Sequence, residues 1–346
     1  MKKLAKKQDI KNLSVDQLIQ WLEEHGIASY RAKQIFKWVH KAKADSFDTM
    51  TDIRKDLRSL LSSHFNIHRP LTKKIETSID GSRKYLFELS DGKYVESVWI
   101  PEKERSTLCI SSQIGCAQGC AFCLTGSAGF IRNLTIGEII NQVLEVERDR
   151  QITKPLTNIV LMGMGEPLAN YNNVIHAIHI MTNSEYGLGY SGRKITLSTA
   201  GIIPKLKQLS SDTVASLAIS LNATDNITRD ALMPINRTYP IEALLETCRD
   251  YELKPRQKIT FEYILIKGVN DSVENAKHLS ELLKPIKAKI NLIPFNEYPD
   301  CDFKRPDEIR INQFRDILVK NNYTVITRYS KGQDISAACG QLSVKT

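Results

Sequence analysis

The sequence contains no run of about 18 consecutive apolar residues, so a membrane-spanning helix is excluded. Its first seven residues, Met1 to Lys7, hold four lysines and no apolar core, so no secretory signal is expected there. An even, spread set of cysteines is also missing: there are seven, and three of them fall within eight residues. That is unlike the disulfide framework of a small secreted protein. No internal repeat is visible. Together these absences describe a cytoplasmic chain in a reducing compartment, where clustered cysteines serve a metal or catalysis. What is present is ample for folding: 346 residues, 42% hydrophobic and 25% charged, enough for one large domain or a large domain with a small one. The net charge of +9 suits a polyanionic partner without requiring one.

From Leu13 to Phe65 the apolar residues recur at helical spacings, as in Leu18, Ile19, Trp21 and Leu22, then Ile35, Phe36 and Val39. A small helical domain is expected over residues 1–75. It carries Arg31, Lys33, Lys37, Lys41 and Lys43, read either as a solvated face or as a phosphate-contacting surface. Arg83 to Ile100 alternates around Asp91-Gly92, a hairpin signal, so residues 76–105 are expected to form a β-hairpin linker. From Ser106 the chain alternates short β-branched runs with helical stretches, the pattern of βα units with parallel strands. Strands are expected at 107–111, 158–161, 194–197, 215–220, 260–266 and 289–293, with an edge strand at 324–327. Helices are expected at 136–150, 172–182, 241–251, 273–284 and 308–320. Thr135 with Glu138 and Asp271 with Glu274 have capping-box spacing. The fold class is therefore α/β: a partial (β/α)6 barrel over residues 106–346, with an N-terminal helical domain and a β-extension.

Cys116-Ala-Gln-Gly-Cys120-Ala-Phe-Cys123 is a C-x3-C-x2-C cluster on a loop after a strand. Three thiolates so spaced can hold three corners of a cubane iron–sulfur cluster and leave the fourth iron open. A structural zinc site would want a fourth ligand, which nothing local supplies. Gly115 and Gly119 would let the backbone pass close to the cluster, or serve as ordinary turn glycines. The motif resembles the signature of the radical S-adenosylmethionine (SAM) superfamily, which implies one [4Fe-4S] cluster per chain, chelation of SAM at the open iron and formation of a 5′-deoxyadenosyl radical.

The other polar motifs lie just past expected strands, on the face where parallel barrels build active sites. They are Gly163-Met164-Gly165-Glu166-Pro167, Ser198-Thr199-Ala200-Gly201, Ser220-Leu221-Asn222 and Pro294-Phe295-Asn296. Glycines permit close approach, Glu166 can accept from an ammonium, and serine and asparagine can bond a ribose or carboxylate. By the resemblance, Gly165 and Glu166 bind the SAM amino group, and Ser198, Ser220, Leu221, Asn222 and Asn296 complete the site. Asn222 departs from the histidine of some relatives.

Two further cysteines narrow the family. Cys109 lies seven residues before the motif, and Cys339 lies in Ala-Ala-Cys339-Gly-Gln-Leu near the C-terminus. Taken singly, each reads as a buried structural thiol. With Phe122-Cys123, Asn133-Leu134-Thr135, Gly163–Leu168 and Asn291–Pro294, these contexts resemble the RlmN/Cfr family of radical SAM RNA methyltransferases, closest to RlmN, over Tyr94 to Leu342. The resemblance implies the following chemistry. Carbon 2 or 8 of adenine is too electron-poor to attack the SAM methyl, whereas a thiolate can. Cys339 takes a methyl from one SAM and becomes S-methylcysteine. A second SAM gives the radical that activates that methyl for addition to the ring. Cys109 resolves the protein–RNA adduct by a transient disulfide with Cys339. Glu96, otherwise an outward carboxylate on a strand, matches the proton acceptor, a role Cys109 itself could fill. Expected partners are ribosomal RNA and tRNA, an electron donor such as flavodoxin or ferredoxin and no membrane, with the chain a monomer. The alternatives are methylation of carbon 8, a glycyl-radical activase that leaves Cys109 and Cys339 unused, and a non-enzymatic RNA-binding protein with a structural metal. Cys248 and Cys301 are read as structural.

Overall fold

The computed structural model describes residues 7–299 and 301–343; the basic stretch 1–6 read above lies outside them. Short amphipathic helices come first. Helix Val15–Glu24 starts from a reciprocal cap, in which Ser14 Oγ accepts the Gln17 N–H and the Gln17 side chain accepts the Ser14 N–H, and it buries Leu18 and Leu22. Arg31–Phe36 buries Ala32, Ile35 and Phe36, and Lys55–His64 buries Leu57 and Leu61. A parallel pairing of Gln8–Asp9 with Phe65–Asn66 closes the unit. The next strand begins at Leu71.

The cations of this unit do something that neither reading of the sequence anticipated. Lys33 pairs with Glu185 at 3.1 Å, Lys43 pairs with Glu147 at 2.9 Å, and Lys41 donates to the Ser184 carbonyl. Arg31 donates to Gln34 and to the Asp52 carbonyl. Arg69 spans Asp45 and Glu145, and Arg148 also reaches Asp45 at 2.8 Å. Most of this charge therefore fastens the helical unit to the core. Exposed pairs of this kind contribute little singly, but the half-buried Arg69–Glu145–Arg148–Asp45 network fixes the orientation of one body on the other.

A single 10-stranded sheet carries the rest of the chain, and its strands lie in sequence order. They are β1 (Leu71–Thr77), β2 (Arg83–Glu88), β3 (Tyr94–Pro101), β4 (Ser106–Ile110), β5 (Asn158–Leu161), β6 (Ile195–Thr199), β7 (Ser216–Ser220), β8 (Ile259–Leu265), β9 (Ala288–Pro294) and β10 (Val325–Thr327). Strands β1 to β4 pair antiparallel, and β4 to β10 pair parallel. The hairpin extends the barrel sheet directly, since Val98 of β3 registers with Cys109 of β4. Six βα units from β4 to β9 give the expected partial (β/α)6 barrel.

The strand interiors explain the alternation. In β8, Ile259, Phe261, Tyr263 and Leu265 are fully buried among the core residues, while Thr260, Glu262 and Ile264 occupy the opposite face. Helix Ile203–Asp212, after β6, was not expected; Pro204 reads as a breaker but sits in the first turn, where its missing N–H costs nothing. Helix Asn226–Leu232 was too short to show a period. The expected Asp271/Glu274 box is displaced by one residue. Ser272 Oγ accepts the Asn275 N–H at 3.0 Å and Asn275 accepts back at 3.2 Å, while the Asp271 carboxylate accepts the Gly268 N–H. The Thr135/Glu138 box forms as read.

Candidate active site

A cavity opens at the C-terminal ends of the parallel strands, spanning about 850 Å³ with the solvent at its mouth. Cys116, Cys120 and Cys123 line it, together with Gly165, Glu166, Ser198, Ser220, Asn222 and Cys339. Leu221 does not: it is fully buried, and its main chain bonds Glu262 and Arg229. Asn296 stands behind the cavity, its Nδ2 donating to the Cys339 carbonyl at 3.2 Å.

The cysteine loop is shaped by its own chain. Gly115, at φ +73°, lies so close to Gly129 that a Cβ would sit 1.9 Å from the Gly129 carbonyl oxygen. The close approach is thus to the hairpin Gln113–Gly115/Phe130–Asn133, not to a ligand. No two of the seven cysteines are joined in a disulfide. Burial pushes the Cys116 thiol up to about 11, and Cys120 is raised by the same cause. Among the described residues no three His, Cys, Asp or Glu side chains converge on a single ion position. Three thiolates spread over a loop fit the corners of a cubane better than the tight shell of a zinc ion. Cys301, read from sequence as structural, joins the apolar shell of Phe122, Phe295 and Tyr298 beside Cys120 and Cys123.

Glu166 is buried, and its carboxylate accepts from Thr199 Oγ1 at 2.7 Å, from the Ala200 N–H at 2.8 Å and from the Leu168 N–H at 2.9 Å. Desolvation raises its pKa against these bonds. A carboxylate offers about four acceptor sites, so these three bonds leave one open. Gly165, at φ +98°, sits where a Cβ would meet Gln113 Cβ at 2.5 Å, so no side chain fits. Asn222 is also left-handed, at φ +57°, and its Oδ1 accepts the Ile264 N–H at 2.8 Å. A short amide is well suited to that backbone.

Two groups in this region were missed from sequence. Glu262 of β8 faces the cavity in one rung with Ser220 of β7 and Asn291 of β9, and it accepts from Ser198 Oγ at 3.2 Å. Burial raises its pKa, and it in turn raises the thiols of Cys339 and Cys109. Its signal was the alternation of Ile-Thr-Phe-Glu-Tyr-Ile-Leu, which sets the carboxylate opposite the core face. Arg229 is completely buried and donates to the carbonyls of Leu221 (3.1 Å), Ala200 (2.9 Å) and Ser220 (3.2 Å) and to Asn236 Oδ1 (3.0 Å). Desolvation lowers its pKa to about 10. It ties together the loops after β6 and β7. Arg229→Met leaves those carbonyls unpaired and is expected to cost at least about 3 kcal/mol, read as a lower urea midpoint at unchanged slope.

The C-terminal segment crosses this face and is held on several sides. Asp334 accepts from Ser78 Oγ and the Ile79 N–H, Asp80 accepts the Gly332 N–H, and Gln341 Nε2 donates to the Glu297 carbonyl. Next to the cluster loop, the Leu124 N–H donates to Gly340 O at 2.8 Å and Thr125 Oγ1 to Leu342 O at 2.5 Å. Glu96, buried in β3, accepts the Ser343 N–H at 3.0 Å and lies 3.4 Å from Lys84 Nζ; desolvation raises its pKa. It does not line the cavity; its visible contact is with the tail. This strapping leaves Cys339 exposed to the cavity, with burial of the thiol itself raising it to about 11. Cys109 points inward from β4; burial raises its thiol, and the nearby Cys339 raises it further.

Residues 8–67 match the family described as the ribosomal RNA large subunit methyltransferase N-terminal domain, and residues 110–279 match the radical SAM superfamily. A protein of Desulfosudis oleivorans named dual-specificity RNA methyltransferase RlmN is 56% identical over 99% of this chain and 92% of its own length. One of the same name from Geobacter sulfurreducens is 52% identical over 97% and 92%. The crystal structure of a radical SAM methyltransferase from Sphaerobacter thermophilus superimposes with a TM-score of 0.89 at 41% identity, covering 96% of this chain and 98% of that one. Likeness of this extent, over both the helical unit and the barrel, means that the chain belongs to the RlmN family of radical SAM RNA methyltransferases and is a SAM-dependent enzyme.

Proposed function

We propose that the enzyme methylates carbon 2 of adenine in 23S ribosomal RNA and in tRNA, with Cys339 as methyl carrier and Cys109 as resolving thiol. The observation that carries this reading is the joint placement of two extra thiols: Cys339 lines the cavity of Cys116, Cys120 and Cys123, and Cys109 lies near enough to feel its charge. Full-length likeness to relatives named RlmN, including the N-terminal domain, supports carbon 2 over carbon 8.

The residues divide the work. Cys116, Cys120 and Cys123 would hold the [4Fe-4S] cluster, which when bound supplies the electron that cleaves SAM to its radical. Gly165 and Glu166 receive the SAM ammonium, and Ser198, Ser220 and Asn222 face the rest of the molecule. Asn296 holds the Cys339 carbonyl, so the sulfur is presented to the cavity by backbone that is already bonded. The Cys339 thiol loses its proton and takes the methyl, forming an S–C bond as the sulfonium S–C bond breaks. Once that methyl carbon has lost a hydrogen atom and bridges the Cys339 sulfur and the adenine as a methylene, the ring gives up its proton and one electron to an external acceptor; the Cys109 thiolate then attacks the Cys339 sulfur, the S–C bond breaks with its electron pair on the carbon, and that carbon takes a proton to become the methyl of the freed base, leaving a disulfide for an external reductant. Glu96 is the proposed acceptor of the ring proton. The target base must be splayed out of its stack to reach a sulfur that lies inside a cavity. We further assign the chain to the cytoplasm as a monomer served by a flavodoxin- or ferredoxin-like donor, and divide it into a helical domain, a hairpin and a catalytic core; among the described residues no helix is long and apolar enough to cross a membrane.

Anaerobic reconstitution followed by mass analysis of nucleosides from treated RNA tests the reading. The expected product is 2-methyladenosine from both ribosomal RNA and tRNA. Finding 8-methyladenosine alone would overturn it.

A further inference from the structure

At the other end of the same strands lies a second concavity, enclosing about 1330 Å³ open to solvent. Its lining includes Lys254, Arg256, Lys258, Lys284 and Lys287, all exposed, and no carboxylate. Among the described residues none of these five forms an ion pair. Their neighbour Arg249 is shared between Glu246 and Asp250, and the helical unit spends its cations on the core. The loop that presents Lys254 and Arg256 is pinned, since the Gln257 N–H donates to Lys254 O at 2.9 Å and the Lys254 N–H donates to Gln257 Oε1 at 3.1 Å. Buried Ile286 and Ala288 lie at its base.

Like charges gathered without a counter-charge repel one another, and the folded chain gains nothing from them. Cations near helix C-termini complement the helix dipole, which accounts for Lys284, two residues after Val273–Leu282. It does not account for Lys258 and Lys287, which immediately precede β8 and β9. We propose that this cleft is a second RNA-binding site, which takes the phosphodiester backbone of a segment of the substrate RNA remote from the base being methylated. The proposal rests on the RNA substrate proposed above. Strand β8 has seven residues. At about 3.3 Å per residue the cleft lies some 20 Å below the catalytic cavity. The two openings face opposite ends of the barrel, so RNA must pass around its outside to reach both; a large folded RNA can do this, and a short stem–loop seated in the cavity cannot. The cleft therefore favours large, structured RNA over isolated loops, through charge rather than base sequence.

The test combines Lys254→Ala, Lys258→Ala and Lys287→Ala in the full chain, and measures binding of a domain-sized large-subunit RNA fragment and of a short stem–loop carrying the target adenine, across a salt series. For the large RNA, affinity at low salt is expected to fall by about tenfold or more, and the log–log salt slope to become shallower by about two. Binding of the stem–loop and the melting temperature stay unchanged. Should the triple variant melt early, the pair Lys254→Gln and Lys287→Gln replaces it. Unchanged affinity and slope for the large RNA, or an equal loss on the stem–loop, would overturn the proposal. A parent protein that binds neither RNA would instead sink the functional reading on which it rests.

Discussion

Replacing Cys339 with alanine is expected to reduce methyl transfer to RNA below about one-thousandth of the parent rate, while cleavage of SAM to 5′-deoxyadenosine continues. The structure makes this substitution clean. The tail around Cys339 is held by Asn296 at its carbonyl, by Leu124 and Thr125 at Gly340 and Leu342, and by Glu96 at Ser343, and none of these bonds uses the thiol. Alanine therefore keeps the backbone in place and removes only the nucleophile. Adenine carbon 2 has no route of its own to the electrophilic methyl, so nothing in the cavity substitutes. Intact-protein mass spectrometry adds an independent readout: the parent gains one methyl on the peptide containing Cys339, and the variant gains none. Methylated RNA formed at the parental rate would remove Cys339 from the mechanism.

The second large effect is a change of product. Cys109→Ala is expected to accumulate a covalent protein–RNA adduct, seen as a band that survives denaturation and disappears with ribonuclease. Cys109 sits in β4 between Val98 of β3 and Val160 of β5, and its thiol is small, so alanine costs about 1 kcal/mol in stability and leaves the sheet intact. What it removes is the sulfur that can attack Cys339 and release the base. A Cys109→Ala enzyme that turns over normally, with no adduct, would show that the disulfide step is wrong.

How much of this was legible depends on the range over which each feature is encoded. Asn158–Leu161 and Glu308–Lys320 are found where the pattern puts them, because a strand or helix announces itself within its own residues. The search for chemistry past the ends of strands found Glu166, Ser198, Ser220 and Asn222 around one cavity. It passed over Glu262, which lies within a strand and is visible only by asking which face an interior polar residue takes. Arg229 reads as one more charge on a short helix; its role comes from the carbonyls that two other loops point at it. The ties of Asp334 to Ser78 and of Glu96 to Ser343 join residues more than 240 positions apart, and no local pattern carries such pairings. The same holds for Lys33 and Lys43, whose partners Glu185 and Glu147 lie on the core and not on the helical unit.

The order of the sheet and the closure of the tail together bear on how the enzyme is made. Its strands lie side by side in the order in which a ribosome produces them, so each new strand has its neighbour waiting. The loop with Cys116, Cys120 and Cys123 is complete long before Gly340 and Leu342 exist to bind Leu124 and Thr125. During synthesis the cysteine loop thus passes through a period with its outer side uncovered, which ends when the tail arrives. Iron and sulfide reaching the nascent or newly released chain would meet the loop on a side that, in the finished protein, is occupied by the tail through Gly340 and Leu342.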